Sequence, residues 1–126
     1  MHALNRDACE TMATNPSFMN GVPELLILRT LEAGEMYGYE LVQAIQLKTN
    51  QAIKIGEGVV YPALHALEAD GMLKSRRKLV NGRTRVYYTV TRKGEKHLAG
   101  LVRHWQHITD AIGLAIGGTA HAATAL

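Results

Sequence analysis

Apolar residues recur at helical spacing after Pro23: Leu25, Leu28 and Leu31 share one face until Gly34 breaks the run, which predicts a first helix over Pro23–Ala33. Proline suits a first helical turn, where its missing N–H leaves no bond unmade. Leu41, Ala44 and Ile45 place a second helix at about Tyr39–Lys48, opened by Gly38. Thr49–Gly58, which contains Gly56, reads as a loop. A third helix is expected from near Val59 to Gly71, with Pro62 tolerated in its first turn. Val60, Leu64 and Leu67 form its core face, which turns Gly58, Pro62, His65 and Ala69 outward and leaves Tyr61 on the flank.

The period then changes from helical to alternating. Leu73, Ser75, Arg77 and Leu79 fall on one side of a strand, with Lys74, Arg76 and Lys78 on the other. Asn81-Gly82 is a strong hairpin signal, and Arg83–Val90 returns with Val86, Tyr88 and Val90 opposed to Arg85, Tyr87 and Thr89. Thr91 is placed to cap a fourth helix. Leu98, Leu101, Trp105, Ile108, Ile112 and Ala115 follow at steps of three and four, a heptad-like seam about 39 Å long if the helix reaches Ile116. Residues 1–20 read as an extension, with Leu4, Ala8 and Met12 on one face of a short helix that Pro16 ends. Residues 117–126 are small and uncharged, a tail expected to be flexible.

The 126 residues suffice for one core, and 47% hydrophobic with 20% charged residues is an ordinary folded composition. No stretch approaches the roughly 18 consecutive apolar residues of a membrane span. Residues 1–13 interrupt their apolar positions with Arg6, Asp7 and Glu10, unlike a secretory signal. Cys9 has no partner for a disulfide or zinc motif, which points to a cytoplasmic protein. The formal charge of +3 conceals an asymmetry. Residues 1–70 hold four basic residues against nine acidic ones, residues 71–103 hold ten basic residues against Glu95 alone, and residues 104–126 add only Asp110. Such a concentrated basic patch is the electrostatic footprint of a polyanion binder. An enzyme is not indicated: the chain lacks a Gly-rich phosphate loop, a nucleophile with its base, and paired carboxylates at a pocket-forming spacing. His97, His104 and His107 lie along the fourth helix without a Cys or carboxylate to complete a tetrahedral set, so no metal or cofactor is assigned.

Three short helices, a two-stranded hairpin and a long amphipathic helix describe an α+β, mostly α chain. Its expected architecture is a winged helix-turn-helix DNA-binding domain over residues 21–91 with a long C-terminal dimerisation helix over residues 92–116. In that fold the third helix enters the major groove and the hairpin sets cations against phosphates. Three motifs carry a closer likeness: Met36-Tyr37-Gly38-Tyr39-Glu40-Leu41, the run from Val60-Tyr61-Pro62-Ala63-Leu64-His65 to Gly71, and the run from Gly82-Arg83-Thr84-Arg85 through Tyr87-Tyr88 to Gly94. In this order they resemble the PadR family of bacterial transcriptional regulators over roughly Gly21–Ile116. The resemblance implies a homodimer joined through the C-terminal helix, an inverted-repeat operator in double-stranded DNA, and repression until an effector arrives. The single-helix arm resembles the family's compact subgroup, some members of which regulate multidrug transporters. A winged-helix adaptor whose basic hairpin meets an acidic protein is the alternative the sequence leaves open.

The DNA-facing candidates are Lys54, Val59, Tyr61, Pro62 and His65 around the third helix, and Arg76, Arg77, Lys78, Arg83 and Arg85 on the hairpin. Val59 stands where the family often carries a hydroxyl residue, so no side-chain cap or phosphate contact of that kind comes from this position. Tyr37, Tyr39, Tyr87 and Tyr88 are expected to fill the small core, their hydroxyls finding partners. Trp105, Leu101, Ile108 and Ile112 are the candidates for the dimer seam. In the resembling subgroup a tryptophan at the place of Trp105 stacks on flat aromatic ligands between subunits, which marks a small aromatic molecule as the expected effector.

Overall fold

In the structure, a computed structural model that describes residues 21–117, helix α1 (Val22–Leu31) opens with proline in its first turn and buries Ile27, Leu28, Thr30 and Leu31. Helix α2 (Gly38–Lys48) contributes Leu41 and Ile45, and helix α3 (Glu57–Ala69) contributes Val60, Leu64 and Leu67. These faces meet Leu73, Tyr88 and Leu98 in one core. The expected helix in residues 1–20, Cys9 and the tail beyond Gly117 lie outside the described residues.

The α2–α3 connection is held rather than slack. Thr49 Oγ1 donates to the Ile45 carbonyl at 2.9 Å, and the Ile53 N–H donates to Thr49 Oγ1 at 3.2 Å. Ile55 is then buried in the core, which turns Lys54 outward just ahead of α3. Helix α3 begins two residues before the expected Val59, because the N–H groups of Val59 and Val60 both bond the Gly56 carbonyl, at 3.1 and 3.0 Å. Pro62 consequently sits in the second turn, where its missing N–H leaves the Gly58 carbonyl without its helical donor.

The hairpin is strand β2 (Leu73–Val80) and strand β3 (Arg83–Val90), paired from Leu73↔Val90 to Val80↔Arg83. Asn81 and Gly82 make the two-residue turn with φ of 49° and 76°, the pair of positive values a type I′ turn requires. A third strand was not foreseen: β1 (Met36–Tyr37) pairs antiparallel with Tyr88 and Tyr87, giving the sheet order β1-β3-β2. Two residues are too short for an alternating pattern to show. The second half of the expected alternation does appear, because the register puts Ser75, Arg77, Leu79, Val86 and Tyr88 on one sheet face and Arg76, Lys78, Arg85 and Tyr87 on the other.

Helix α4 (Arg92–Ala115) starts as the sequence predicts. Thr91 Oγ1 accepts from the Gly94 N–H at 3.1 Å and donates to the Gly71 carbonyl at 2.6 Å. Gly94 presses on the end of α3: a Cβ there would stand 2.1 Å from the Met72 carbonyl oxygen. Further along, Leu98 is buried and Leu101, Val102 and Trp105 are half-buried, whereas Ile112 and Leu114 are 54% and 79% exposed. The fold is thus the winged helix-turn-helix expected, with a long C-terminal helix whose far half projects apolar side chains into solvent. Tyr39 departs from expectation. It is 51% exposed, on the side of α2 away from Leu41 and Ile45, and its hydroxyl accepts from Gln43 Nε2 at 3.0 Å.

Candidate nucleic-acid interface

Because Val60, Leu64 and Leu67 point inward, α3 exposes Glu57, Gly58, Pro62, His65 and Ala69 along its outer face. Apart from Glu57 at its start and His65, the outward row is small, so the helix can approach a surface closely. Val59 is half-exposed and packs against the core. Tyr61 leans off the row toward α2 and packs over Gly38, near the wing.

The wing stands beside α3 and is tied to it. Ser75 Oγ donates to Glu68 Oε2 at 2.6 Å, and burial beside the Glu68 carboxylate raises the Tyr88 pKa above its ordinary value, desolvation being the larger cause. Between α3 and the wing runs an open cleft of about 300 Å³ lined by Tyr37, Gly38, Tyr61, His65, Thr84, Arg85, Val86 and Tyr88. Arg77 shares the sheet face of Val86 and Tyr88, the face turned to this cleft. Exposed Leu79 and Val86 extend the same face toward the turn.

The other cations divide. Arg83 is exposed beside the turn, and no ion pair involves it or Arg77 among the described residues. Arg85 lies over the Tyr37 ring at 4.3 Å, Lys78 over the Tyr87 ring at 4.4 Å, and the two rings meet edge to face at 5.4 Å. Arg76 and Lys78 are both bonded to Glu35. The structure therefore brings Tyr61, His65 and Arg85 together at one cleft, sets Arg77 on the adjoining sheet face, and leaves Arg76 and Lys78 bonded to Glu35 on the other face. Sequence reasoning missed Glu35, Thr84 and Val86. Glu35 is joined to the wing only by contacts across 41 and 43 residues, which no local pattern encodes.

A second surface lies on α4. Leu25 and Leu26 of α1 face Val102, Trp105 and Thr109 across a shallow apolar groove of about 310 Å³. Next to it Glu24 and His97 form an ion pair joining α1 to α4. His97 is thereby engaged, and no group of three metal-ligating side chains occurs among the described residues. No helix among them is long and apolar enough to cross a membrane.

Comparison with known proteins places this geometry. A transcriptional regulator of Mycobacterium tuberculosis is 31% identical over 106 residues, 84% of this chain and 94% of that one. The structure of a transcriptional regulator from Clostridium thermocellum superposes with a TM-score of 0.71 at 30% identity, over 76% of this chain and 94% of the other. The fold is shared also by Bacillus subtilis PadR, whose structure is in complex with operator DNA, with a TM-score of 0.60 at 24% identity over 64% of this chain and 46% of that one. Residues 27–100, from the buried end of α1 through the wing to the base of α4, match the transcriptional regulator PadR-like family. With helix row, wing and long terminal helix in their order, the chain belongs to the PadR-like family of transcriptional regulators.

Proposed function

We propose that this protein is a homodimeric repressor that binds an inverted-repeat operator in double-stranded DNA and is released by a small aromatic or amphipathic effector. The observation that carries the reading is the juxtaposition of the outward row of α3 with the basic wing across one open cleft. A helix whose outward residues are small reaches base edges in the major groove, while flanking cations hold phosphates. In this reading Pro62 and His65 enter the groove and Tyr61 borders it. Lys54, Arg77 and Arg83 hold phosphates, and Arg85 lines the cleft between the wing and α3.

The exposed apolar end of α4 supports dimerisation. Ile112, 54% exposed, continues the stripe of Leu101, Trp105 and Ile108 without cover among the described residues. A second α4 laid along that stripe would remove it from water, at about 25 cal/mol for each Å² buried. The groove at Trp105 supports the effector site, since an indole edge and aliphatic walls suit a flat apolar ligand.

The test is binding of the purified protein to the DNA upstream of its own gene, followed by anisotropy over a salt series. Binding that weakens linearly in log salt and outcompetes random duplex supports the reading. A monomer at micromolar concentration, or affinity indifferent to sequence, removes it. Trp105 fluorescence, quenched saturably by a planar compound and restored by operator, tests the effector.

A further inference from the structure

Glu35 lies in the turn between α1 and β1, yet its carboxylate is spent on the wing. Arg76 grips it through two parallel bonds, Nε to Oε1 and Nη2 to Oε2, both 3.0 Å, and Lys78 Nζ reaches Oε2 at 2.6 Å. Hydrogen bonds from Arg76 first and Lys78 second lower the Glu35 pKa to about 2. Arg76 is the cross-strand neighbour of Tyr87 and Lys78 lies over its ring, so both cations are held on the sheet face turned from α3. A planar two-bond grip on a carboxylate is the same interaction a guanidinium offers a phosphate, so one excludes the other.

We propose that Glu35 limits the wing's hold on DNA by keeping Arg76 and Lys78 out of phosphate contact, so that the hairpin binds through Arg77 and Arg83 and does not grip any duplex it meets. The proposal rests on the DNA-binding reading above and makes Glu35 a positioning residue that touches no nucleotide. It also reassigns two of the five hairpin candidates, Arg76 and Lys78, which charge alone would count as phosphate ligands.

Counterion release makes the idea measurable, because each phosphate neutralised adds about 0.9 to the slope of log affinity against log salt. The experiment is a salt series of anisotropy titrations of the full chain on a short random-sequence duplex and on the upstream DNA. It compares wild type with Glu35→Gln, Glu32→Gln, Arg76→Gln and the double variant Glu35→Gln/Arg76→Gln. Glu35→Gln is expected to steepen the random-duplex slope by about 0.9 to 1.8, one or two phosphates. Glu32→Gln removes the same charge three residues away, where the partner is Arg29, and should leave the slope unchanged. Arg76→Gln alone should also change nothing, whereas in the Glu35→Gln background it should take back about 0.9.

A Glu35→Gln slope equal to that of wild type overturns the proposal, and so does a Glu32→Gln slope as steep as that of Glu35→Gln. If Glu35→Gln fails to fold, Arg76→Gln decides: a slope reduced by about 0.9 in that single variant means Arg76 already holds a phosphate. Wild-type protein that binds no duplex, upstream DNA included, strikes the DNA reading itself and is recognised before any variant is compared.

Discussion

The ring of Tyr61 lies across Gly38 so closely that a Cβ on Gly38 would come within 2.5 Å of its Cε1, Cζ and hydroxyl oxygen. The first residue of α2 is thereby the floor on which a residue of α3 rests. Gly38→Ala must turn the ring away, and because the clash is with the free end of a side chain the fold can yield, at about 1 kcal/mol. The expected result is a folded protein with weakened operator binding, measured by urea unfolding beside anisotropy. Unchanged DNA affinity would show that the ring's place over Gly38 is irrelevant to the interface.

Gly94 offers the opposite case. Its added Cβ would meet the Met72 carbonyl oxygen at 2.1 Å and Val90 Cγ1 at 2.8 Å, and backbone cannot swing aside. Gly94→Ala is expected to cost stability at the top of the range of about 1–3 kcal/mol for overpacking, well above Gly38→Ala in the same urea series. Equal losses would mean that the joint between the wing and α4 is softer than its geometry.

Along α4 a gradient of burial predicts a gradient of cost. Leu98 is 1% exposed and Ile112, on the same face, is 54% exposed. Leu98→Ala should lose about 2–5 kcal/mol. Ile112→Ala should change monomer stability by less than about 0.5 kcal/mol while weakening self-association in sedimentation. An undiminished dimer in the Ile112 variant would put the interface elsewhere.

The Glu35 brace carries a pH signature. Its carboxyl is depressed from 4.5 to about 2, so the brace contributes fully above the unfolded value. That contribution declines as pH falls from about 4.5 and is lost below about 2. Glu35→Gln lacks the contribution at every pH, so the urea midpoints of the two proteins should differ at pH 6 and converge as pH falls through that window. The groups are exposed, so the difference should also shrink in molar salt. A gap that persists at pH 2 would assign the effect to something other than this carboxylate.

The hairpin turn tests local geometry alone. Gly82 has a φ of 76°, which a residue with a Cβ adopts only under strain. Gly82→Ala should cost about 1 kcal/mol in urea unfolding, and Asn81→Gly, which relieves a φ of 49°, should be neutral.

The elements legible in the sequence were those with a repeating cause. The buried stripes of α2 and α3, the alternation that sorts Arg77 from Arg76, the Asn81-Gly82 turn and the Thr91 cap are all local and are where the pattern put them, whereas the α1 face turned so that Ile27 and Thr30 are buried with Leu28 and Leu31 and Leu25 is only half-buried. What escaped is non-local or too short for a period. Strand β1 is two residues long and exists only because Tyr87 and Tyr88 are there to pair with. The start of α3 moved two residues because the Gly56 carbonyl collected two donors. The candidate site was legible as charge but not as direction: counting cations found the wing, and only the Glu35 pairing and the Tyr87 and Tyr37 rings show which of them are already occupied.

The junction at Thr91 allots no residue to a linker. Val90 ends β3, Arg92 begins α4, and the single residue between them is bonded both to Gly71 and to Gly94. A rod of 24 residues, about 36 Å long, is therefore welded to the wing at one end. A tilt of that rod carries the hairpin with it, because Thr91 is bonded on both sides of the junction. The spacing between two such hairpins in a dimer would then be dictated by how the rods cross, and a molecule lodged near Trp105 would act as a wedge at the crossing.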